Sequence, residues 1–319
     1  MKRKLPRLFL LFLLICDLSY GQQDTQYTQY MYNAVSFNSA YTGSRGVLSI
    51  TGLHRSQWLG IDGAPNTQSL SIHTPISQNN KIGVGLSIIN DNAGAFRETN
   101  FNASFSYTIN TSVINNSRLA FGISAGGNLL NVDLLSLEKF NENDFLLEKN
   151  IDNKFSPNLG VGIYYHTDSY YLGLSAPNIL QTSHFNTNSL DSNSDNISVL
   201  AKERINYYLI AGYIIDLTHL IKLKPAILSK YIAGSPFQVD ISANFLFYEK
   251  LTLGAAYRSS NTYSVIAGFE VSEGLMLGFA YDQGISKLGT SQINSGSYEI
   301  LLRYELKNIY DKWLSPRFF

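Results

Sequence analysis

The second half of the chain alternates between large apolar residues and small or polar ones. From Leu251 to Arg258, leucine, alanine and tyrosine occupy every second position, and threonine, glycine, alanine and arginine occupy the positions between them. The same period of two returns at residues 262–271, 275–282 and 299–305. Because neighbouring side chains of a strand point to opposite faces, this pattern predicts β-strands.

The two faces of these segments differ in size as well as in polarity. One face carries leucine, valine, phenylalanine and tyrosine, and the other carries glycine, alanine, serine, threonine and occasional charges. A soluble periplasmic β-sandwich, the lesser alternative, would carry more charge on its solvated face. In a transmembrane barrel the large face meets lipid and the small face lines the lumen. The segments have roughly the ten residues that a tilted strand needs to cross an apolar band of about 25 Å.

We therefore predict an all-β protein, a transmembrane antiparallel β-barrel of about fourteen strands, since an even number closes such a barrel with both ends in the periplasm. The predicted strand centres lie near residues 51, 71, 86, 104, 123, 162, 172, 210, 225, 241, 254, 266, 278 and 300. We predict a folded loop or short helix at residues 131–155 and a mobile surface loop at residues 181–204. The polar, tyrosine-rich segment before the strands does not alternate, and we predict that it packs in or against the lumen.

The N-terminus is typical of a secretion signal. Four basic residues precede an apolar run from Leu8 to Ile15, and small residues follow at Ser19 and Gly21, which predicts cleavage before Gln22 and export to the outer membrane. The only cysteine, Cys16, lies within this signal, and its loose likeness to a lipobox leaves a lipoprotein as the lesser alternative. The predicted parts are a signal peptide (1–21), an N-terminal lead segment (22–46), a transmembrane β-barrel (47–306) and a C-terminal tail (307–319).

Composition narrows the classes of function. Charged residues make up only 15% of the chain, whereas tyrosine and phenylalanine number 21 and 18. Without the predicted signal, 24 − 4 = 20 bases face 24 − 1 = 23 acids, a balance that does not favour nucleic acid as a partner. A mature chain without Cys16 has no disulfide framework and no thiolate metal site.

Evidence for catalysis is weak in the sequence. The five histidines are scattered and no G-x-S-x-G elbow occurs, although a catalytic site can be assembled across strands without a local motif. The stretch Asp191–Asn196 resembles the start of a calcium loop, but Asn196 and Lys202 stand where glycine and an acid are needed. We predict a non-enzymatic protein with no catalytic residues, no cofactor and no metal.

The turn after the first predicted strand carries the candidate site. Gly60, Gly63 and Pro65 indicate a bent turn, which is either a rigid closure of the barrel or a docking surface for a partner or for the lead. Arg55 either forms a cation–π pair with Trp58 or anchors inward. The candidate residues are Arg55, Gln57, Trp58, Asp62, Gly63 and Pro65.

Charged residues at alternate positions are predicted to face the lumen, because unpaired charges facing lipid are costly. There they would either brace a filled interior through ion pairs or line a channel. These residues are Arg258, Glu270, Asp282, Glu299, Arg303 and Glu305.

Several stretches resemble the PorP/SprF family over nearly the whole mature chain. The most specific is Arg55–Thr67, with its Arg-x-Gln-Trp-x-Gly pattern followed by Gly-Ala-Pro. Ser39 departs from the proline usual in the family, which puts the geometry of that turn in doubt. The other matching stretches are Tyr27–Asn33, Asn38–Ser44, Asp91–Gly94, Tyr170–Pro177 and Ser315–Phe319.

The resemblance implies an outer-membrane barrel of Bacteroidota that belongs to the type IX secretion system and, in gliding species, to the motility machinery. It implies export or surface attachment of a large adhesin-like cargo through the C-terminal domain of that cargo. The implied partners are the lipid bilayer, the cargo and other type IX secretion or gliding subunits of the envelope. The alternative function is a porin or FadL-like transporter for small solutes.

Overall fold

A computed structural model describes residues 25–77, 79–112, 116–135, 150–180, 204–285 and 295–306. These residues form three short 3-10 helices and fifteen β-strands. The strands are β1 (Leu48–Ser56), β2 (Asn66–Pro75), β3 (Ile82–Ala93), β4 (Phe96–Ser112), β5 (Ser117–Val132), β6 (Ile151–His166), β7 (Tyr170–Ala176), β8 (Asn206–Tyr213), β9 (Ile215–Asp216), β10 (Ile221–Ile232), β11 (Gln238–Phe247), β12 (Leu251–Arg258), β13 (Thr262–Ser272), β14 (Leu275–Gly284) and β15 (Ser297–Leu306).

The strands close into one antiparallel barrel. Apart from β8 and β9, which do not pair with each other, each strand pairs with its neighbours in sequence, and β15 pairs with both β14 and β1 to complete the ring. Strands β8 and β9 pair with the same partner, β10, and are separated only by Ile214. They therefore count as one interrupted strand, and the barrel has fourteen. The predicted fold is confirmed, and all fourteen predicted centres lie inside observed strands.

The outer surface of the barrel is apolar. The large residues of the alternating segments, such as Leu253, Val265 and Ile300, are exposed on it, whereas Thr252 and Ser264 are buried on the inner side. Tyrosines also lie on the outer surface, in groups such as Tyr257 and Tyr263, whose ring centroids are 5.0 Å apart. This apolar exterior suits lipid contact. Within the residues described, no helix is long and apolar enough to cross a membrane.

The lengths of the connections orient the barrel. The end where β1 begins and β15 ends also carries tight turns such as residues 248–250 and 273–274. The longest intervals between strands, residues 133–150, 177–205 and 285–296, all begin and end at strand ends on the opposite side. Outer-membrane barrels have short periplasmic turns and longer extracellular loops. The end of the barrel where β1 begins and β15 ends is therefore periplasmic, and the end flanked by the longest intervals is extracellular.

The prediction of a loop or helix at residues 131–155 is wrong at both edges, because β5 continues to Val132 and β6 begins at Ile151. A register shift between Leu130 and Val132 disturbs the alternation here, and Asn153 has a positive φ of 49°. The period of two is therefore lost although pairing continues. Four predicted segments lie outside the described residues in whole or in part. They are the middle of that loop, residues 181–203 of the predicted loop at 181–204 with its calcium-like stretch, the tail at 307–319 and the predicted signal with Cys16.

Candidate functional site

The lead fills the barrel. From residue 25 to residue 47 it runs through the lumen, with 3-10 helices at Tyr30–Tyr32, Ala34–Ser36 and Ser39–Tyr41. The Asn38 side chain caps the third helix by accepting a hydrogen bond from the Ala40 backbone N–H. Most of the lead is buried, and Tyr30 and Ala40 are almost completely so. The predicted packing of this segment is confirmed, and its place is inside the lumen.

The direction of the lead follows from its contacts. The backbone carbonyl of Tyr27 accepts a hydrogen bond from Arg258, the last residue of β12, at the extracellular end. Arg45 pairs with Glu305 near the periplasmic end of β15 at 2.6 Å. The N-terminal side of the lead therefore lies at the extracellular mouth, and the chain descends through the lumen before β1 begins.

Glycines on the lumen face make room for the lead. A methyl group on Gly122 of β5 would collide with the backbone of Ser39 and Ala40, and one on Gly83 of β3 would collide with the Thr42 carbonyl. One on Gly162 of β6 would meet the Asn38 side chain. The small face that sequence alternation places in the lumen is thus a surface shaped to the lead.

A buried ionic cluster anchors the extracellular end of the lead. Arg55 contacts Asp282 at 2.6 Å and Glu299 at 3.3 Å, and all three side chains are almost fully buried. Glu299 accepts hydrogen bonds from the backbone N–H groups of Thr28 (2.9 Å) and Gln29 (2.8 Å). The Thr28 hydroxyl donates to Asp282 at 2.7 Å. Two carboxylates and one guanidinium thus hold the lead through its backbone and one hydroxyl.

Further charged residues face the lumen and form ion pairs there. They brace the filled interior, which is one of the two uses that the sequence left open. Tyr32 of the lead has Lys224 and Arg303 at 5.7 Å and 5.3 Å from its ring centroid, a distance at which cation–π attraction contributes. Ion pairs of these lumen-facing residues include Arg258–Asp240 (2.8 Å), Arg303–Glu270 (3.2 Å) and Arg303–Glu305 (3.5 Å).

The loop between β1 and β2 lies over the extracellular rim. The Gln57 N–H donates to the Pro65 carbonyl and closes the base of the loop. Asp62 and Gly63 are the central residues of a turn in which the Ala64 N–H donates to the Ile61 carbonyl, and Gly63 has a φ of 72°. A chain with this positive φ favours glycine at that position.

The same loop bridges neighbouring strand ends. The Leu59 N–H donates to the Gly296 carbonyl at 2.8 Å, and the Gly94 N–H donates to the Gly63 carbonyl at 2.8 Å. The Trp58 backbone N–H donates to the Ser297 hydroxyl, whereas the Trp58 side chain is 41% exposed. The loop is therefore fixed by its backbone and presents its tryptophan to the outside.

The six candidate residues are divided between two places. Arg55 points into the lumen and is an inward anchor, one of the two roles that the sequence allowed. Trp58, Asp62 and Gly63 are exposed on the extracellular loop. Sequence reasoning missed that the Arg55 cluster binds the lead at Thr28 and Gln29, and the only signal for it was the set of charges at lumen-facing positions.

Two histidines have structural contacts in the lumen. His73 Nδ1 accepts a hydrogen bond from the Gly43 N–H at 3.1 Å, and the His166 ring lies 5.5 Å from that of Tyr164. Among the described residues, no group of three or more histidine, cysteine or acidic side chains is placed to hold a metal ion.

The direction of the lead gives a labelling prediction. Cysteine introduced by Thr25→Cys should react with a membrane-impermeant maleimide on intact cells, because Thr25 is half-buried at the extracellular mouth. Ser44→Cys, half-buried near the periplasmic end, should react only after the outer membrane is permeabilised. Labelling in the opposite order would show that the lead runs the other way.

A closed barrel with a lipid-facing apolar surface, short periplasmic turns and a lumen occupied by its own lead defines an outer-membrane β-barrel protein. Within that class, the chain belongs to the PorP/SprF family of type IX secretion system membrane proteins, whose family model matches residues 19–304. The protein is accordingly an outer-membrane component of type IX secretion, with the lipid bilayer and secretion-system subunits as its surroundings.

Solved structures that resemble the chain are outer-membrane barrels of low sequence identity. The Acinetobacter baumannii outer membrane protein Omp33 is 8% identical, with a TM-score of 0.43 over 82% of this chain and 100% of that one. A deletion mutant of the monoaromatic hydrocarbon channel TodX is 11% identical, with a TM-score of 0.44 over 81% and 89%. The KdgM porin is 11% identical, with a TM-score of 0.36 over 81% and 99%. No curated protein matches the chain.

Proposed function

We propose that this protein is a non-enzymatic part of the type IX secretion and gliding machinery, and that it supports export or surface attachment of a large adhesin-like cargo. The cargo would be recognised through its C-terminal domain. The family supports a secretion role, and the barrel supports a membrane-embedded one. The predicted signal peptide, residues 1–21, belongs to the same proposal as the means of export.

The filled lumen carries this proposal. The lead occupies the barrel from the extracellular mouth to the periplasmic end and is hydrogen-bonded or ion-paired to its wall at both ends. Solutes therefore have no wide path through the centre, in contrast to porins with an aqueous channel. Partners would meet the protein at its two ends.

The test is a deletion strain with surface proteomics. Loss of the protein should remove one large surface protein with a type IX C-terminal domain, while the level of other outer-membrane proteins stays the same. Tagged protein, purified from detergent-solubilised membranes, should carry that same cargo. Normal cargo display in the deletion strain would contradict the proposal.

The β1–β2 loop is the proposed docking surface at the extracellular end. An exposed tryptophan on a rigid backbone suits a partner contact, because aromatic residues dominate binding energy at protein interfaces. The alternative, a rigid closure of the barrel, is supported by the backbone bonds of Leu59 and Gly63. Removing only the Trp58 side chain separates the two roles.

Trp58→Ala should lower the amount of cargo that co-purifies by roughly tenfold, the effect of losing a central aromatic contact. The barrel should keep its thermal stability, since the loop is fixed through its backbone. Tyr248→Ala is the matched control, because Tyr248 is also exposed with a positive φ but lies in a periplasmic turn. An equal loss in both variants, or a loss only with Tyr248→Ala, would contradict docking at this loop.

A porin or FadL-like transporter for small solutes is the second candidate function. A cavity of about 100 Å³ between the lead and the wall, lined by Tyr27, Phe37 and Tyr208 among others, favours it. Liposome swelling decides between the two. Robust solute flux through the purified intact protein would support the transporter.

A further inference from the structure

Three neighbouring strands carry buried amides with unused oxygen atoms. Asn102 on β4, Asn128 and Asn158 on β5 and β6, and the Ser156 hydroxyl form a set that we call the amide notch. The side-chain oxygens of all four have no hydrogen-bond partner among the residues that the structure describes. Asn128 is 3% exposed, Ser156 2% and Asn158 8%, whereas Asn102 is half-buried, with only its Oδ1 atom inaccessible, and lines the cavity between the lead and the wall. Buried polar atoms normally find a partner, and a group of exceptions calls for one.

The strand register brings these residues together. Gly126 of β5 is directly opposite Asn102 of β4 on one side and Asn158 of β6 on the other. Asn128 of β5 is directly opposite Ser156 of β6. Neighbouring strands are about 4.8 Å apart, so the backbones at Asn102 and Asn158 are two strand spacings apart. Gly126, which has no side chain, lies between them. The Asn102 Oδ1 atom would lie 2.7 Å from a Cβ placed on Gly126. The register therefore places Asn102 and Asn158 on either side of Gly126, with the pair Asn128 and Ser156 next along the same strands.

The hydrogen bonds fix which way two of the amides point. Asn128 Nδ2 donates to Glu98 Oε1 at 2.6 Å. Asn158 Nδ2 donates to the Pro177 carbonyl at 3.0 Å and to Asn178 Oδ1 at 2.6 Å. Rotating either amide by half a turn would place its oxygen against these acceptors. The unused atoms of Asn128 and Asn158 are therefore acceptors and not donors.

Acceptor oxygens beside a carboxylate suit a cation. Glu98 already takes amide hydrogens from Asn100 (2.9 Å) and Asn128, and brings negative charge to the edge of the notch. Calcium binds to carboxylate, amide-carbonyl and water oxygens, and extracellular calcium sites have dissociation constants of about 0.1–1 mM. Sodium takes the same kind of ligand. We propose that a hard cation binds in the amide notch beside Glu98.

A cation here would fix part of the extracellular surface. The segment after β7 folds back over β6, where the Ile179 N–H donates to the Leu159 carbonyl at 2.8 Å and Pro177 contacts Asn158. An ion held by Asn158 would therefore bind the start of the 177–205 connection to the wall. The inference goes beyond the proposed secretion role and does not depend on it.

Equilibrium dialysis of the purified, chelator-treated barrel against radioactive calcium tests the proposal. About one ion should bind per barrel, with half-saturation near 1 mM or below. Asn128→Leu should abolish binding. Asn102→Asp should lower the half-saturating concentration by about tenfold, since it adds a charge without touching the hydrogen bonds of the other two amides. A second experiment tests sodium. It measures the temperature at which the folded gel band converts to the unfolded one, in sodium chloride and, as the control for ionic strength, in choline chloride.

Asn244→Asp is the matched control, because Asn244 also has an unpaired buried Oδ1 against a glycine, on β11 across the barrel. It should not change calcium binding. Sodium-specific protection without calcium binding would support the site with a monovalent ion. If neither ion binds to the natural protein, or if Asn244→Asp acts like Asn102→Asp, the proposal is overturned. Asn102→Asp keeps the test decisive if Asn128→Leu does not fold.

Discussion

A variant that lacks residues 27–43 should conduct ions as an open channel in planar bilayers, whereas the natural protein should show no such steps. Fourteen strands spaced about 4.8 Å apart and tilted by about 40° enclose a backbone cylinder about 28 Å across. The lead occupies the centre of that cylinder, and its removal leaves a water-filled lumen lined by small and charged side chains. Single-channel recording measures the change directly.

A point substitution checks that result without a deletion. Gly122→Val places its side chain where Ser39 and Ala40 now lie, and should expel the lead and open the same conductance. Gly52→Val is the control of equal size, because a side chain added at Gly52 meets nothing within 4 Å. Silent recordings from both the deletion and Gly122→Val, with correctly folded barrels, would show that the lead does not block the lumen.

Replacing Arg55 with methionine should destabilise the barrel by about 3–5 kcal/mol, the cost of leaving buried charges without their partner. Asp282 and Glu299 are 2% and 0% exposed, so neither carboxylate can turn to water when the guanidinium is removed. Glu299 also holds the Thr28 and Gln29 backbone, and the extracellular end of the lead should loosen with it. Urea unfolding in detergent micelles measures the stability, and protease cleavage within the lead measures the loosening.

Two further variants test the cause. Arg55→Met combined with Glu299→Gln should recover part of the lost stability, because one of the two stranded charges is removed. Arg97→Met removes an exposed arginine that contacts Asn92, and should change stability by less than about 0.5 kcal/mol. Equal effects of Arg55→Met and Arg97→Met would mean that the buried cluster contributes nothing.

The barrel could be predicted from the sequence because the alternating pattern of each strand lies within its own residues. A period of two over eight to twelve residues needs no knowledge of the partner strand, and this is why every predicted centre lies in a strand. The same method failed around Val132 and Ile151, where a register shift broke the period while the ladder continued. The presence of a lead in the lumen was also predictable, because its tyrosine-rich stretch did not alternate.

The candidate site was predicted less well, because its contacts are remote in sequence. Thr28 and Glu299 are 271 positions apart, and nothing in either neighbourhood indicates the other. Trp58 and Arg55 are close in sequence, yet one faces the outside and the other the lumen. The amide notch depends on the register of three strands, which fixes Asn102 and Asn158 across Gly126 and cannot be read from asparagines scattered along a chain.

The Arg55 cluster straddles the seam between the first and the last strand. Arg55 of β1 is directly opposite Glu299 of β15, and Arg45 of the lead reaches Glu305 on that same strand. The last strand is also the last part of the barrel to be synthesised. We therefore expect the lead to lie inside the open sheet before β15 joins β1, since the lead would otherwise have to be threaded through a closed ring. The barrel would then close and enclose the lead in a single step. Substitutions at Arg55 or Glu299 should therefore slow insertion into the membrane as well as lower the stability of the folded protein.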